Sequence, residues 1–484
     1  MTILLATGSL AYPIVAESSR GFDVKIAVSG KIAAFITPAA LEKLISENPC
    51  EMVLVSGMCT ADFSIVEKKT GIPVFLGPRH AADLGIVLRS IESIPPDSIP
   101  LSRTIPADEL LFKTKKRDAY EKLEKMEQEA DFDFEIKGLK IGGNSRIKVL
   151  AEIMDAHKAE NLKETVLNFF RSGADIVDLG FGFDASPKDV IRTFESLKET
   201  KSTTADDGIN MILAADTQEP SLIKAAIPYA DVILSLHEKN IPLVAKDIAD
   251  TGKAAVIVPL ENSLDVNIAA AKAAGIKNII ADPLLQPVGS GLLDSLPNFK
   301  KCSAPLFFGA GNVTELIDAD SPGVNALLAG LAKETGASVI FTSEHSDKTK
   351  GSVREMRRAV EMMTLMNDRP YPKDLGLSLF CIKEKRKRIT PPLEYKTLIF
   401  ADNMPEDIEY DPAGNLRIGI EGEYIVAVHN NTAFKGKCWE DVFYTILKHE
   451  RVSLIDHAAY LGKELYKAEL SLKFKRSFDQ DGPF

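Results

Sequence analysis

Asp216 closes the run NMILAAD and Asp282 closes NIIAD, each after an almost wholly apolar stretch. A carboxylate fixed at the end of a rigid buried segment can accept two hydrogen bonds from an N–C–NH2 edge, as in a guanidine or an aminopyrimidinone. Asn312, in FFGAGNVTE, follows glycines that let the chain turn tightly beside a ligand, and its amide offers both a donor and an acceptor to ring nitrogens. Glu152, Asp155, Asp178, Asp184, Ser235, Glu238, Glu261, Asn262 and Glu344 follow similar runs, and His237 and His345 add groups that titrate near neutrality. Asp155, Asp184 and Glu238 also read as helix caps or solvated loop residues, and Asn312 as a cap. If so many carboxylates converge, some must be protonated, cation-bound or bonded to donors. That favours a polar, donor-rich ligand over a phosphate-rich one. Glu152, Asp216, His237, Asp282, Glu344 and His345 could assemble a mixed carboxylate–imidazole metal set, but their spacing does not require it, and no metal is expected.

These residues need a frame that brings distant strand ends together. Candidate strands are KVLAEI (148–153), DIVDLG (175–180), NMILAAD (210–216), DVILSL (231–236), AAVIVPL (254–260), NIIAD (278–282), PLFFGA (305–310) and SVIFTS (338–343), with helical segments between them. Eight such strands with intervening helices, in about 240 residues, have the size and order of a (β/α)8 TIM barrel, expected over residues 136–382. A doubly wound sheet with extra strands is the competing architecture. In a barrel the chemistry belongs where the loops converge at the C-terminal strand ends. The stretch PLLQPVGSGLLDSLPNFKK after Asp282 is the irregular connection, and so the candidate ligand loop.

Two further domains flank the barrel. TILLATG, VKIAVSG, MVLVSG and PVFLG are short apolar runs ending in glycine, which predict a Rossmann-like α/β domain over residues 1–130. LATGS and LVSG are glycine turns rather than GxGxxG or GxxxxGKS nucleotide loops. Residues 107–129 are strongly charged and read as a surface helix leading to a boundary. A small α+β domain is expected over residues 391–484, with strands YKTLIF, NLRIGI and EYIVAVH, two amphipathic helices, and Trp439, Phe443 and Tyr444 in its core.

Composition narrows the function classes. A net charge of −11 on 484 residues disfavours nonspecific nucleic-acid binding, and the one dense basic cluster, Lys383, Lys385, Arg386, Lys387 and Arg388, reads as an exposed junction. Five scattered cysteines without a CxxC pair suit a reducing cytoplasm. Cys59, at a glycine turn, reads as buried rather than nucleophilic. The apolar start lacks a basic n-region and predicts a buried first strand rather than a signal peptide; with no run of 18 apolar residues, no membrane span is expected.

The strand ends resemble those of the pterin-binding barrel superfamily, which holds dihydropteroate synthases and methyltetrahydrofolate-type corrinoid methyltransferases. The likeness spans about residues 140–365. GADIVDLGFG, which contains Asp178, resembles the synthases' acidic strand followed by glycines. AADT resembles the strand of their pterin-contacting aspartate, and IIADPLLQP that of the second, with PLLQP closer to the methyltransferases. FGAGNVTEL resembles the methyltransferases' Gly-x-x-Asn strand, which gives Asn312 a pterin contact. A synthase would carry a Ser-Arg-Lys run where this chain has GAGN, an arginine where Ser343 and Glu344 precede His345, and the strand-four asparagine of pterin binders is replaced by Ser235. The missing cations normally hold the aryl substrate and the departing pyrophosphate.

The three-domain layout resembles the dihydropteroate synthase-related proteins of methanogenic archaea and some methylotrophs, organisms that use tetrahydromethanopterin. GNVTELIDADSPGVNALLAG and FTSEHSDKTKGSVREMRRAVEMM carry most of that likeness. The resemblance implies a reduced pterin, tetrahydromethanopterin or a precursor, bound by Asp216, Ser235, Asp282 and Asn312, with Asp178, Glu344 and His345 as the catalytic candidates. The implied activity is a dihydropteroate synthase-like condensation of pterin with an aryl substrate in tetrahydromethanopterin biosynthesis. The alternatives are methyl transfer between a methyl-pterin and a corrinoid partner protein, or pterin binding without catalysis. A homodimer is a reasonable expectation for such a barrel.

Overall fold

The computed structural model describes residues 2–92, 101–198, 210–300, 302–366, 371–385, 393, 395–401 and 409–484. The chain divides into two compact units, Met1–Pro392 and Leu393–Phe484.

The first unit opens with parallel strands β1 (Ile3–Thr7), β2 (Val24–Val28), β3 (Met52–Val55) and β4 (Val74–Leu76), in the sheet order β2-β1-β3-β4. Two apolar clusters, one around Leu4, Leu41 and Val53 and one around Leu5, Leu54 and Leu88, lie on opposite faces, because alternate residues of β1 and β3 point to opposite sides. That double burial is why these strands read as unbroken apolar runs. Two of the glycines that end the runs are forced by close packing: a Cβ on Gly57 would stand 2.5 Å from the Gly77 carbonyl oxygen, and one on Gly8 2.6 Å from that of Lys31.

After the 23-residue helix Ala107–Glu129, a hairpin of β5 (Phe134–Ile136) and β6 (Leu139–Ile141) leads into the barrel strands β7 (Lys148–Ile153), β8 (Ile176–Gly180), β9 (Leu213–Asp216), β10 (Val232–Leu236), β11 (Ala254–Ile257), β12 (Ile279–Ala281), β13 (Leu306–Phe308) and β14 (Ala337–Ser343). They close as one parallel barrel, with β14 pairing with β7. The expected eight strands are all present: β7 has its expected bounds, β14 begins one residue earlier, and the other six are shorter than expected. β11 stops at Ile257, two residues before Pro259, which has no N–H to continue the ladder.

The barrel interior is packed rather than hollow. Leu150, Ile176, Ile212, Ala214, Leu234, Val256, Ile280, Phe307 and Val339 form an inner cluster that also takes in Ile136 and Ile141, so the hairpin plugs the N-terminal end. The outward alternates join the surrounding helices in a larger core. At the plugged end Asp175 accepts both Nη atoms of Arg146, at 2.7 and 2.9 Å, the Arg357 Nη1 at 3.1 Å and the Val149 N–H at 2.8 Å. Those guanidinium charges overcome burial and hold the Asp175 carboxyl well below the usual carboxylate range.

The second unit is an antiparallel meander of β15 (Leu416–Glu421), β16 (Tyr424–His429) and β17 (Thr432–Gly436), covered by the helices Trp439–Lys448 and Ile455–Phe474. YKTLIF, expected as a strand, forms none; Tyr395, Leu398, Ile399 and Phe400 are exposed. β-branched and aromatic residues favour extension, but a strand needs a partner edge to pair with. Trp439 and Phe443 pack against this core, whereas Tyr444, the next residue round the helix, is 68% exposed and meets Phe443 edge-on. Lys383 and Lys385 are exposed, Lys385 pairing with Asp374, while Arg386, Lys387 and Arg388 lie outside the described residues. No helix among the described residues is long and apolar enough to cross a membrane.

Candidate functional site

Two residues up the strand from Leu150, Ile176, Ala214, Ile280 and Phe341, all facing the inner cluster, stand Glu152, Asp178, Asp216, Asp282 and Ser343. The barrel interior therefore changes from apolar to acidic over a single layer at its C-terminal mouth. Glu152 is the register partner of Asp178, and Asp216 that of Gly180. One carboxylate oxygen from each of Glu152, Asp178 and Asp216 lies within 4.8 Å of the others. A Cβ on Gly180 would stand 3.1 Å from Glu152 Oε1, so glycine keeps this space open.

The environment of these acids is dry and poor in donors. Asp178 is fully buried, and neither of its oxygens has a hydrogen-bond partner among the described residues. Burial, then the neighbouring charges of Asp216 and Glu152, push its carboxyl well above the usual range. Burial and Asp216 push Glu152 up to about 7. Burial also raises Asp282 to about 7, against the opposing hydrogen bond from the Leu284 N–H at 2.8 Å. Asp216 is raised by burial and relieved by one hydrogen bond, from Ser235 Oγ at 2.5 Å. Among the described residues no lysine or arginine forms an ion pair with any of the four.

Ser235 reaches Asp216 through a break in the strand. Its neighbour Leu234 faces the inner cluster, so simple alternation would turn Ser235 outward. The β10–β11 register shifts between Ile233 and Leu236, and Ser235 takes a left-handed backbone with φ of 65°. Asn240, almost fully buried, fastens this bulge: its Nδ2 donates to the carbonyls of Ser235 at 3.2 Å and Gln218 at 3.3 Å, and its Oδ1 accepts the His237 N–H at 2.8 Å. Sequence reasoning passed over Asn240, whose only signal is its place just beyond the strand end.

The remaining expected residues are dispersed round the mouth. Asn312 is exposed on the short helix Ala310–Thr314. Glu344 Oε1 accepts the Val353 N–H at 3.1 Å at the start of the helix Ser352–Met366, while the His345 side chain is exposed. His237 Nδ1 accepts the Lys239 N–H at 3.2 Å; burial holds its pKa below the usual histidine value and leaves Nε2 without a partner. Glu238 accepts the N–H groups of Glu261 at 2.6 Å and Asn262 at 3.3 Å and the Asn267 amide at 2.8 Å, so it ties two loops together. Glu261 pairs with Lys239. Asp155 and Asp184 bracket Lys158 beside His157, whose two ring nitrogens are buried without hydrogen bonds.

Glu315 is a second residue that sequence reasoning missed. It accepts Ser343 Oγ at 2.7 Å, Thr349 Oγ1 at 2.8 Å and the N–H groups of His345 at 3.0 Å and Ser346 at 3.2 Å. Burial works against its ionisation, but these donors outweigh it and hold the carboxyl at about 2. Glu315 thus fixes the loop after β14.

Chemically, the mouth can accept hydrogen bonds, hold protons near neutrality and exchange them. Glu152, Asp178 and Asp216 form an all-oxygen donor set of the kind that suits a hard divalent cation. Asp155, His157 and Asp184 form a mixed set, as do Cys438, Glu440 and Glu469 in the second unit.

Over 527 aligned positions the chain is 33% identical to the uncharacterized protein MJ0107 of Methanocaldococcus jannaschii, covering 99% of this chain and 98% of that one. A family model described as PterinBD-DUF4346 matches residues 410–481. Among solved structures, Yersinia pestis dihydropteroate synthase with a pterine-sulfa conjugate is 19% identical, covers 49% of this chain and 99% of its own, and has a TM-score of 0.39. The Xanthomonas albilineans dihydropteroate synthase with 4-aminobenzoic acid is 18% identical over 50% of this chain and 100% of its own, also at 0.39.

Proposed function

The chain belongs to the family of the uncharacterized Methanocaldococcus jannaschii protein MJ0107, and from its barrel mouth we propose that it binds a reduced pterin and acts as a pterin-dependent transferase. The observation that carries this reading is the layer of four carboxyls, Asp178 and Asp282 buried and Glu152 and Asp216 half-buried, with no lysine or arginine among the described residues paired to any of them. Such a layer calls for a ligand that brings several N–H donors. The 2-aminopyrimidinone edge of a pterin presents two parallel N–H groups to one carboxylate. Asp282 suits that role, since the Leu284 N–H occupies only Oδ1. Asp216, oriented by Ser235, accepts from a second ring N–H, and the exposed amide of Asn312 completes the set at the rim.

The reaction we propose is condensation of the pterin methylene with an aryl substrate in tetrahydromethanopterin biosynthesis. The methylene carbon–oxygen bond to a pyrophosphate group breaks as the bond to the aryl nitrogen or carbon forms, pyrophosphate leaves to solvent with the bonding electrons, and the proton lost from the aryl group passes to a mouth carboxylate or to His345. The barrel contributes mainly proximity and orientation. A second reading, methyl transfer from a methyl-pterin N5 to a corrinoid partner, is favoured by Asp178. A carboxyl whose hold on its proton is strengthened by burial can protonate N5 as the methyl group leaves without its bonding electrons. Glu344, engaged at a helix start, enters neither scheme as the proton carrier.

Calorimetric titration with 7,8-dihydropterin and tetrahydromethanopterin tests the shared premise. Saturable binding that disappears in Asp282→Asn is expected; a folded wild-type chain that takes up neither pterin overturns the reading.

A further inference from the structure

At the end of the barrel opposite the mouth lies a cavity of about 570 Å3, bounded by the hairpin, the start of β8 and the helix Ser352–Met366. Arg171, Arg354, Arg357 and Arg358 line it, together with Tyr120 and Asn210. The acids in its wall are Asp175 and Glu361, so the ionised lining carries 4 − 2 = +2 in a chain of net charge −11. Both acids are already engaged. Asp175 is saturated by Arg146, Arg357 and the Val149 N–H. Glu361 accepts Arg357 Nε at 2.8 Å and lies 3.9 Å from Arg358 Nε.

Arg171 is itself engaged, so the positive charge left over in the lining is that of Arg354 and Arg358. The Arg358 guanidinium carbon stands over the Tyr120 ring, 5.5 Å from its centre. Arg354, one helical turn before Arg358, makes no hydrogen bond or ion pair with any described residue and is exposed. Like charges four residues apart on a helix repel, and of the two only Arg358 has an acid within ion-pair distance among the described residues, Glu361 at 3.9 Å. An anion seated between the two guanidinium groups would do so. The cationic side chains of the lining are all arginine, although lysine is the commoner cation in this chain. Arginine's planar fork matches phosphate oxygens in pairs, which a lysine does not. The volume falls within the range of small-metabolite pockets.

We propose that this cavity binds a small, multiply charged phosphate metabolite, as a site separate from the carboxylate mouth. The inference does not depend on the pterin reading, because it shares no residue with it. Titration of the full chain with inorganic pyrophosphate, ADP and citrate tests it. Pyrophosphate and ADP should bind saturably, more weakly as salt is raised, and about tenfold or more weaker in Arg354→Glu, in keeping with the loss of a charge-assisted contact. Asp282→Asn should bind them as the wild type does. Arg354 is exposed, so its variant should fold; Arg358→Gln gives a second reading of the same contact. Absence of binding at millimolar pyrophosphate, or affinity unchanged in both arginine variants, overturns the proposal. Loss of binding in Asp282→Asn alone would move the anion to the mouth and overturn it too, and citrate bound as tightly as pyrophosphate would overturn the assignment to phosphate.

Discussion

Ser235 Oγ lies 2.5 Å from Asp216 Oδ1, and it does so only because Ser235 has left the strand register for a left-handed backbone. This is the sole hydrogen bond from a described residue to the Asp216 carboxylate. A non-glycine residue in that conformation carries strain that its surroundings must hold, and the Asn240 amide supplies the restraint through the Ser235 carbonyl. The strained bulge thus turns an outward position into an inward donor.

Ser235→Ala should remove that donor without filling the mouth. Burial then acts on Asp216 unopposed, and its pKa should rise further. Dihydropterin affinity should fall by roughly fivefold, the equivalent of about 1 kcal/mol for one hydrogen bond, with the loss greater at pH 6 than at pH 8. Calorimetry at the two pH values checks both statements; equal affinity in variant and wild type would remove Asp216 from the ligand's contacts.

The raised acids predict how stability depends on pH. Asp282 has its folded pKa lifted from 3.8 to about 7. A group raised on folding contributes stability in full below its unfolded pKa, and that contribution is lost as pH climbs through the folded value. The ligand-free chain should therefore lose stability between about pH 4 and pH 7, by on the order of a few kcal/mol from this group. Glu152, also lifted to about 7, adds to the same slope. Urea midpoints across that window should fall in the wild type and fall less in Asp282→Asn, whose amide does not titrate. A flat wild-type profile would mean that these carboxyls are ionised and solvated.

Much of this architecture was legible because parallel strands buried on both faces read as apolar runs, and because an acid directly after such a run has one place to go. Asp216 and Asp282 were visible for that reason. Ser235 was placed by resemblance, since period-two alternation points it the wrong way. Glu315 and Asn240 were hidden because each lies beyond a strand, where an acid or amide ordinarily meets solvent; only the loops folding back reveal what they hold. YKTLIF misled because its composition favours extension while pairing depends on a partner edge far away in sequence.

Asp175→Asn should be among the most damaging single changes in the first unit. The carboxylate neutralises Arg146, which is about 10% exposed, and Arg357. Removing its charge leaves the confined Arg146 guanidinium without its ion-pair partner and Arg357 with Glu361 alone, a loss of about 3–5 kcal/mol in comparable buried pairs. Urea unfolding at pH 7 checks the loss. Because Asp175 stands at the plugged end of the barrel, any variant that remains folded should keep its pterin affinity. A destabilisation below about 1 kcal/mol would show the cluster to be solvated like a surface pair.

Glu344 separates a structural role from a chemical one. Its carboxylate accepts the Val353 N–H at 3.1 Å, and its own carbonyl accepts Lys350 Nζ at 2.9 Å. Glu344→Ala should cost about 1 kcal/mol, as the loss of a helix-end acceptor does. Glu344→Gln keeps an oxygen in the same place and should restore most of that stability while leaving pterin affinity and turnover near wild type. His345→Ala, which removes an exposed imidazole at the mouth, should do the reverse, leaving the urea midpoint in place and slowing turnover if that ring takes the proton. Turnover lost in Glu344→Gln at an unchanged midpoint would instead give Glu344 the proton and reduce the contact with Val353 to a means of aiming it.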